Sequence, residues 1–277
     1  MFPENYQRKK RVNKEMVQVE KADILRAVRE AGINEGDIVL VFSNLARVGK
    51  VKEAKSKEES LKTYLLALLD CVGVKKGTIV VPTFTYSFAR GKAFDYEDSQ
   101  SELCMFGEFV RKEKDSIRSF HPHFSFAAAG KDKHQICDNV SRSAFGYESV
   151  FDRLYKKGAK MLFLGTNITE GLTFFLYIEH MAGVSHCYHK AYFTPVYKNK
   201  QPVKGPFFSF VRHLEPDFYA DFPHFERHLK EQGLVREALL GSGKMQAVTC
   251  RDVFKEGYEK LQENPCYFYN KEFYITA

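Results

Sequence analysis

The chain has 277 residues, 44% of them hydrophobic, and a formal charge of +7 from 42 basic and 35 acidic side chains. That length suits one large or two modest globular domains with a substantial core. No window holds the roughly 18 uninterrupted apolar residues of a membrane span, and the basic opening MFPENYQRKKRVNKEM lacks the apolar run of a signal peptide.

Ile24, Leu25, Val28 and Ala31 recur at helical spacing and Gly32 stops them, which predicts a helix over 20–31. Gly36 and Asp37 then turn the chain into IVLVF, a continuous apolar run suited to a buried parallel strand. A helix over 57–71 carries the stripe Leu61, Tyr64, Leu65 and Leu68, and KKG turns into TIVVPTF, a second buried strand. Residues 86–101, with Gly91, Asp95 and Asp98, read as an exposed functional loop. Helices follow over 102–111, 132–139 and 148–156, then the strand MLFLG and a helix over 171–181. Segments 186–195 and 203–212 are aromatic and strand-like, with turns at Asn199 and Gly205. Helices over 222–231 and 251–261 close the chain. The alternation of strands and helices predicts a three-layer α/β sandwich around a mainly parallel central sheet. A small antiparallel sheet or hairpin is expected at about 184–215, within a single domain spanning 1–277.

The 25 Phe and 15 Tyr chiefly fill the core. Six cysteines form no CxxC pair and read as cytoplasmic thiols. The basic surplus comes with no helix-turn-helix, RNA-binding signature or zinc finger, so nucleic acid is not expected as a partner.

Three segments carry candidate chemistry. In RSFHPHFSFAAAG, residues 118–130, Pro122 disfavours helical geometry at His121 and pins the loop. An imidazole held this way is either a general base near neutral pH or a loop histidine bonded to a carbonyl. In MLFLGTNITEGLTFFLYIEH, residues 161–180, Gly165 and Thr166 follow a strand, so they lie at the carboxyl edge of the sheet, where open α/β folds bind ligands. Thr173, Leu176, Tyr177 and His180 share one helix face. Glu179 lies on a neighbouring face, as a buried carboxylate orienting an imidazole or as a surface partner of a lysine. His180, His186 and His189 cluster without an HExxH arrangement, and no metal is expected. In VFSNLARVG, residues 41–49, the amides of Ser43, Asn44 and Leu45 at a strand end suit an anion. There is no GxxxxGK[ST], GxGxxG after the first strand, or GxSxG, and GSGK at 241–244 is too short to count.

Taken together, VFSNLARVG, GTIVVPTFTY, FDYEDSQSELCMFGEFVR, RSFHPHFSFAAAG and AFGYESVFDRLYKKGAKMLFLG resemble, in order and spacing, the antibiotic N-acetyltransferases typified by aminoglycoside 3-N-acetyltransferases. The resemblance runs over about residues 20–262. It implies transfer of an acetyl group from acetyl-coenzyme A to a primary amine of an amino sugar, in the cytoplasm and without a covalent enzyme intermediate. It implies His121 and Glu179 as the groups that activate the amine and Thr173 as a hydroxyl for the carbonyl oxygen. Ser43, Asn44, Leu45, Ser119, Gly165 and Thr166 would contact the cofactor. A homo-oligomer is compatible with the resemblance.

Two positions depart from the family pattern. Where a threonine, a histidine and a glutamate follow one another at three-residue intervals, this chain has Thr173, Leu176 and Glu179, and the family histidine after the first strand is Phe42. The Ser-Pro-like turn is altered to Ser149-Val150 as well. The basic balance favours a nucleotide-linked or phosphorylated biosynthetic amino sugar as acceptor over a polycationic aminoglycoside. A catalytically inactive homologue that binds coenzyme A or a sugar is the other reading of Leu176.

Overall fold

The computed structural model describes residues 17–214 and 218–270. Its main sheet has seven strands: β1 (Ile38–Ser43), β2 (Thr78–Pro82), β3 (Ser116–Arg118), β4 (Phe126–Gly130), β5 (Lys160–Leu164), β8 (Arg236–Leu240) and β9 (Gly243–Thr249). The pair β6 (Cys187–Tyr192) and β7 (Phe207–Arg212) forms a separate antiparallel ribbon, with Tyr192 opposite Phe207. Across the main sheet the order is β8-β9-β5-β1-β2-β4-β3.

Only the centre of this sheet is parallel. β1 runs with β5, Leu40 opposite Met161, and with β2, Val39 opposite Ile79. The other four pairings are antiparallel. The expectation of a mainly parallel sheet is therefore corrected to a mixed one. The reason is local: two stretches not foreseen as strands, 116–130 and 236–249, fold back on themselves and add antiparallel pairs at both edges. GSGK is the turn of the second of these pairs.

β1 is buried on both faces, which explains its unbroken apolar run. Leu40 and Phe42 point into one core and Val39 and Val41 into the other. The second core is covered by α1 (Lys21–Glu30), α2 (Lys57–Val72) and α3 (Met105–Lys112), through Ile24, Val28, Tyr64, Leu68 and Phe106. The first is covered by α4 (Lys133–Cys137), α5 (Val150–Lys156), α7 (Phe175–Ala182), α8 (Pro223–Glu231) and α9 (Cys250–Glu263), rich in Phe126, Phe145, Phe151 and Phe174. The predicted helix over 171–181 is broken: α6 (Ile168–Gly171) is a single turn capped by Asn167, and α7 starts only at Phe175. All six cysteines are free thiols. No helix among the described residues is long and apolar enough to cross a membrane.

Candidate active site

The three parallel strands end at one edge of the sheet, and the chain segments leaving them surround a cavity of about 400 Å³. β1 ends at Ser43, after which the Asn44 amide donates to the Leu164 carbonyl (2.8 Å) and a tight turn runs through Leu45–Arg47. Leu45 and Ala46 open that turn, where amides have no carbonyl within the turn to bond. β5 ends at Leu164, and Gly165 has φ +68°. A Cβ there would meet the Asn44 carbonyl oxygen at 2.4 Å, so glycine is required for the two strand ends to approach. Ser43, Asn44, Leu45, Thr166, Glu170 and Cys104 all line the cavity.

Glu170 is the one carboxylate among these lining residues. Its amide donates to the Asn167 side chain (2.8 Å), its carboxylate accepts from the Thr166 hydroxyl (3.0 Å), and it is ion-paired with Arg47. In the sequence Glu170 stands in the cluster after Gly165 with Thr166, Asn167 and Thr169, without an assigned role. The signal available for it was its place five residues beyond Gly165, at the mouth of a strand-end turn. The Cys104 thiol sits 3.9 Å from the Ser43 hydroxyl and accepts from the Gly107 amide (3.3 Å), capping α3.

Neither position that departs from the family pattern supplies a polar group. Phe42 stacks on Phe163 with ring centroids 5.2 Å apart, a contact worth about 1 kcal/mol beyond its burial. Leu176 packs against the phenylalanine-rich core.

The 118–130 segment is built differently from its sequence expectation. His121 is 3% exposed, and both ring nitrogens are engaged by backbone: Nδ1 accepts from the amides of Phe124 (3.0 Å) and His123 (3.3 Å), and Nε2 faces the Arg142 carbonyl at 3.2 Å. An Nδ1 that accepts twice is unprotonated, so Nε2 carries the proton and donates it. Burial lowers this histidine to about 4, against weaker support from backbone partners at Phe208 and Arg142. The Ser119 hydroxyl accepts from the Phe126 amide (2.9 Å) and is fully buried. Both side chains shape the loop, and neither lines the cavity.

The same loop is anchored by Arg118, which is 6% exposed. Its guanidinium donates to the Ser125 hydroxyl (3.0 Å), to the carbonyls of Ser99 (2.6 Å), Tyr96 (3.3 Å) and Thr83 (3.2 Å), and to the Thr85 hydroxyl (3.2 Å). Burial, then the nearby Arg111, lowers it to about 10, still charged at neutral pH. Thr173 is partly exposed, and Glu179 is completely buried, meeting His186 Nε2 at 3.0 Å and the Tyr269 hydroxyl at 3.4 Å. The structure thus gathers Ser43, Asn44, Leu45 and Thr166 at one cavity, with Gly165 beneath it. It leaves His121, Ser119, Thr173 and Glu179 outside the lining.

A cavity of about 750 Å³ shares Leu61, Leu103, Cys104 and Met105 with the first and carries Glu58, Glu102, Glu108 and Glu113. Two more adjoin the first on other sides. One, of about 660 Å³, shares Ala46 with it and is lined by Lys50, Lys55, Ser56, Lys57 and Ser60 at the start of α2. None of these lysines forms an ion pair with a described residue. They stand beside the N-terminus of the 16-residue helix α2, whose first turn also carries Glu58 and Glu59. The other, of about 330 Å³, shares Thr166 and contains Glu226, Lys230 and Glu237. Partial burial pushes the Glu226 carboxyl up, but Gln246, Thr169 and Lys230 outweigh it and hold it down to about 2. A lowered carboxyl stabilises the fold above its unfolded value, near 4.5, and loses that contribution as pH falls through 2. Glu226→Gln is therefore expected to melt several degrees below the parent at neutral pH. The gap should close between pH 4.5 and 2, and thermal melts across that range check it.

Comparison with known proteins gives the chain's family and fold. Residues 40–262 match the family model described as aminoglycoside 3-N-acetyltransferase. The chain is 23% identical over 273 residues to aminoglycoside N(3)-acetyltransferase VII of Streptomyces paromomycinus, covering 88% of this chain and 92% of that protein. A prophage-derived aminoglycoside N(3')-acetyltransferase-like protein of Bacillus subtilis is 25% identical over 179 residues, 56% of this chain and 63% of that protein. Among solved structures, AAC-IIIb with bound CoASH superposes with a TM-score of 0.77 at 20% identity, covering 89% of this chain and 97% of that one. The α/β fold is shared with these structures. With the family model covering most of its length, the chain belongs to the aminoglycoside 3-N-acetyltransferase family, a family of coenzyme A-dependent acyltransferases.

Proposed function

We propose that this protein transfers an acetyl group from acetyl-coenzyme A to the primary amine of an amino sugar that carries a phosphate or a nucleotide. The supporting observation is the pair of joined cavities: a lysine-lined one at the start of α2 for the donor's phosphates, and an apolar one with the Ser43–Ala46 turn for its thioester arm. The acceptor class is supported by the state of the local acids. Asp95 and Asp98 pair with Lys200, Glu97 accepts from the Asn199 amide, and Glu102 accepts from the Ser87 amide and meets Arg90. Carboxylates already paired within the chain offer little to a polycation.

In the reaction the amine attacks the thioester carbonyl carbon, the C–N bond forms, the C–S bond breaks and the coenzyme leaves as thiolate. The Leu45 and Ala46 amides receive the oxyanion. Glu170 takes the proton from the attacking nitrogen, which turns strongly acidic once the C–N bond forms. On this reading Ser43, Asn44 and Thr166 position the donor. His121, Thr173 and Glu179, outside the lining, do not touch it.

Measuring free-thiol release from acetyl-coenzyme A against nucleotide-linked amino sugars and aminoglycosides tests the reading. Amine-dependent release with the former is expected, and Glu170→Gln should lower kcat about 100-fold or more. Preferential turnover of aminoglycosides would replace the acceptor class. The apolar packing of Phe42 and Leu176 favours a second reading, a donor-binding protein without turnover. Cofactor binding with no thiol release from any amine would select it.

A further inference from the structure

Helix α7 ends at Gly183, which is in the left-handed conformation at φ +67°, and the chain reverses through 184–185 into β6. The reversal brings His186 and Cys187 back against Glu179. A carboxylate oxygen, an imidazole nitrogen and a thiol sulfur then lie within 4.8 Å of one another, on side chains that are all buried. We propose that Glu179, His186 and Cys187 form a closed structural zinc site.

Three observations converge on this. The three ligand types are all ones that zinc takes, and the mixed oxygen, nitrogen and sulfur set disfavours calcium and magnesium. The charges also balance. A carboxylate that is 0% exposed, facing one imidazole, a long contact to Tyr269 and the more distant charge of Arg212, is costly to keep ionised. A divalent cation held by one carboxylate, one thiolate and one neutral imidazole is neutral overall, and binding releases the Cys187 proton to solvent. Finally, the imidazole is oriented from behind: His186 Nδ1 faces the Cys266 thiol at 3.8 Å while Nε2 faces Glu179. The Tyr269 hydroxyl donates to the second oxygen of Glu179 at 3.4 Å. None of these residues lines the strand-end cavity, so the site is independent of the acyl-transfer reading.

The test is the metal content and metal spectroscopy of the full, untagged chain. About one zinc per chain is expected after purification without added metal. Exchange for cobalt should give the near-ultraviolet thiolate-to-cobalt charge-transfer band of a tetrahedral site. Cys187→Ser should abolish that band, whereas Cys71→Ser, in the opposite core, and Cys266→Ser, on the far side of the ring, should keep it. If Cys187→Ser fails to fold, the parent decides: stripping with a chelator should lower its Tm by several degrees, and zinc, but not magnesium, should restore it. A metal-free chain whose melting ignores both chelator and zinc overturns the proposal, as does a charge-transfer band that survives Cys187→Ser.

Discussion

Arg118→Met is expected to lower the unfolding free energy by about 3–5 kcal/mol, the range for uncovering a buried, hydrogen-bonded charged group's partners. The guanidinium is the common donor for acceptors on three segments: Thr83 and Thr85 after β2, Tyr96 and Ser99 in the loop before α3, and Ser125 before β4. Methionine fills much of the volume but removes the donor from the partly buried carbonyls of Tyr96 and Ser99, each at about 1–3 kcal/mol before relaxation, while the Thr83 carbonyl keeps the Ser125 hydroxyl. Phe94, whose ring lies 4.9 Å from the guanidinium carbon, loses its cation contact as well. Arg118→Lys should recover little, because an ammonium lacks the planar fork that reaches several carbonyls together. Urea denaturation with linear extrapolation measures the difference. A change below about 1 kcal/mol would show that the loop holds itself without this anchor.

The second large effect is a loss of stability on mild acidification. His121 and His123 are held neutral, chiefly by burial, at about 4 and about 3 against an ordinary value of 6.5. The folded state resists protonation, so the unfolded chain binds more protons as pH falls. Stability is full above 6.5 and drains away as pH drops through 4 and on toward 3. For His121 alone the depression corresponds to roughly 3 kcal/mol. The structural cost is plain, since a proton on Nδ1 breaks its bonds to the Phe124 and His123 amides. Denaturant midpoints at pH 7, 6, 5 and 4 should fall steadily in the parent and more gently in His121→Asn. Parallel slopes would mean the ring is accessible to protons without unfolding.

How much of this was legible in the sequence varies by element. β1 and β2 could be read because a strand buried on both faces is a continuous apolar run bounded by turn residues. α2 could be read from its stripe. β4 could not: FAAAG is dominated by alanine, whose intrinsic preference is helical, and only the surroundings make it a strand. Small side chains suit a strand wedged between β2 and β3 with a core on either side. β8 and β9 hid behind a polar pattern, because the edge strand β8 buries only Ala238 and Leu240. At the site, Ser43, Asn44, Leu45 and Thr166 were foreseeable, since strand ends in open sheets face ligands. What the sequence withholds is commitment of polar atoms. Nothing in FHPHF says that the following amides will occupy the His121 ring, and nothing in Glu179 says that its partner lies seven residues on, across a reversal.

The strand order also bears on how such a chain is made. β1 can pair with β2 as soon as Pro82 has emerged, but its other neighbour, β5, starts only at Lys160. Until then this apolar strand offers an open edge, the kind of surface that recruits a second copy. The antiparallel pair that seals the sheet beyond β5 arrives later still. Slow acquisition of structure, and a reliance on chaperones when the chain is overproduced, are thus written into the topology itself.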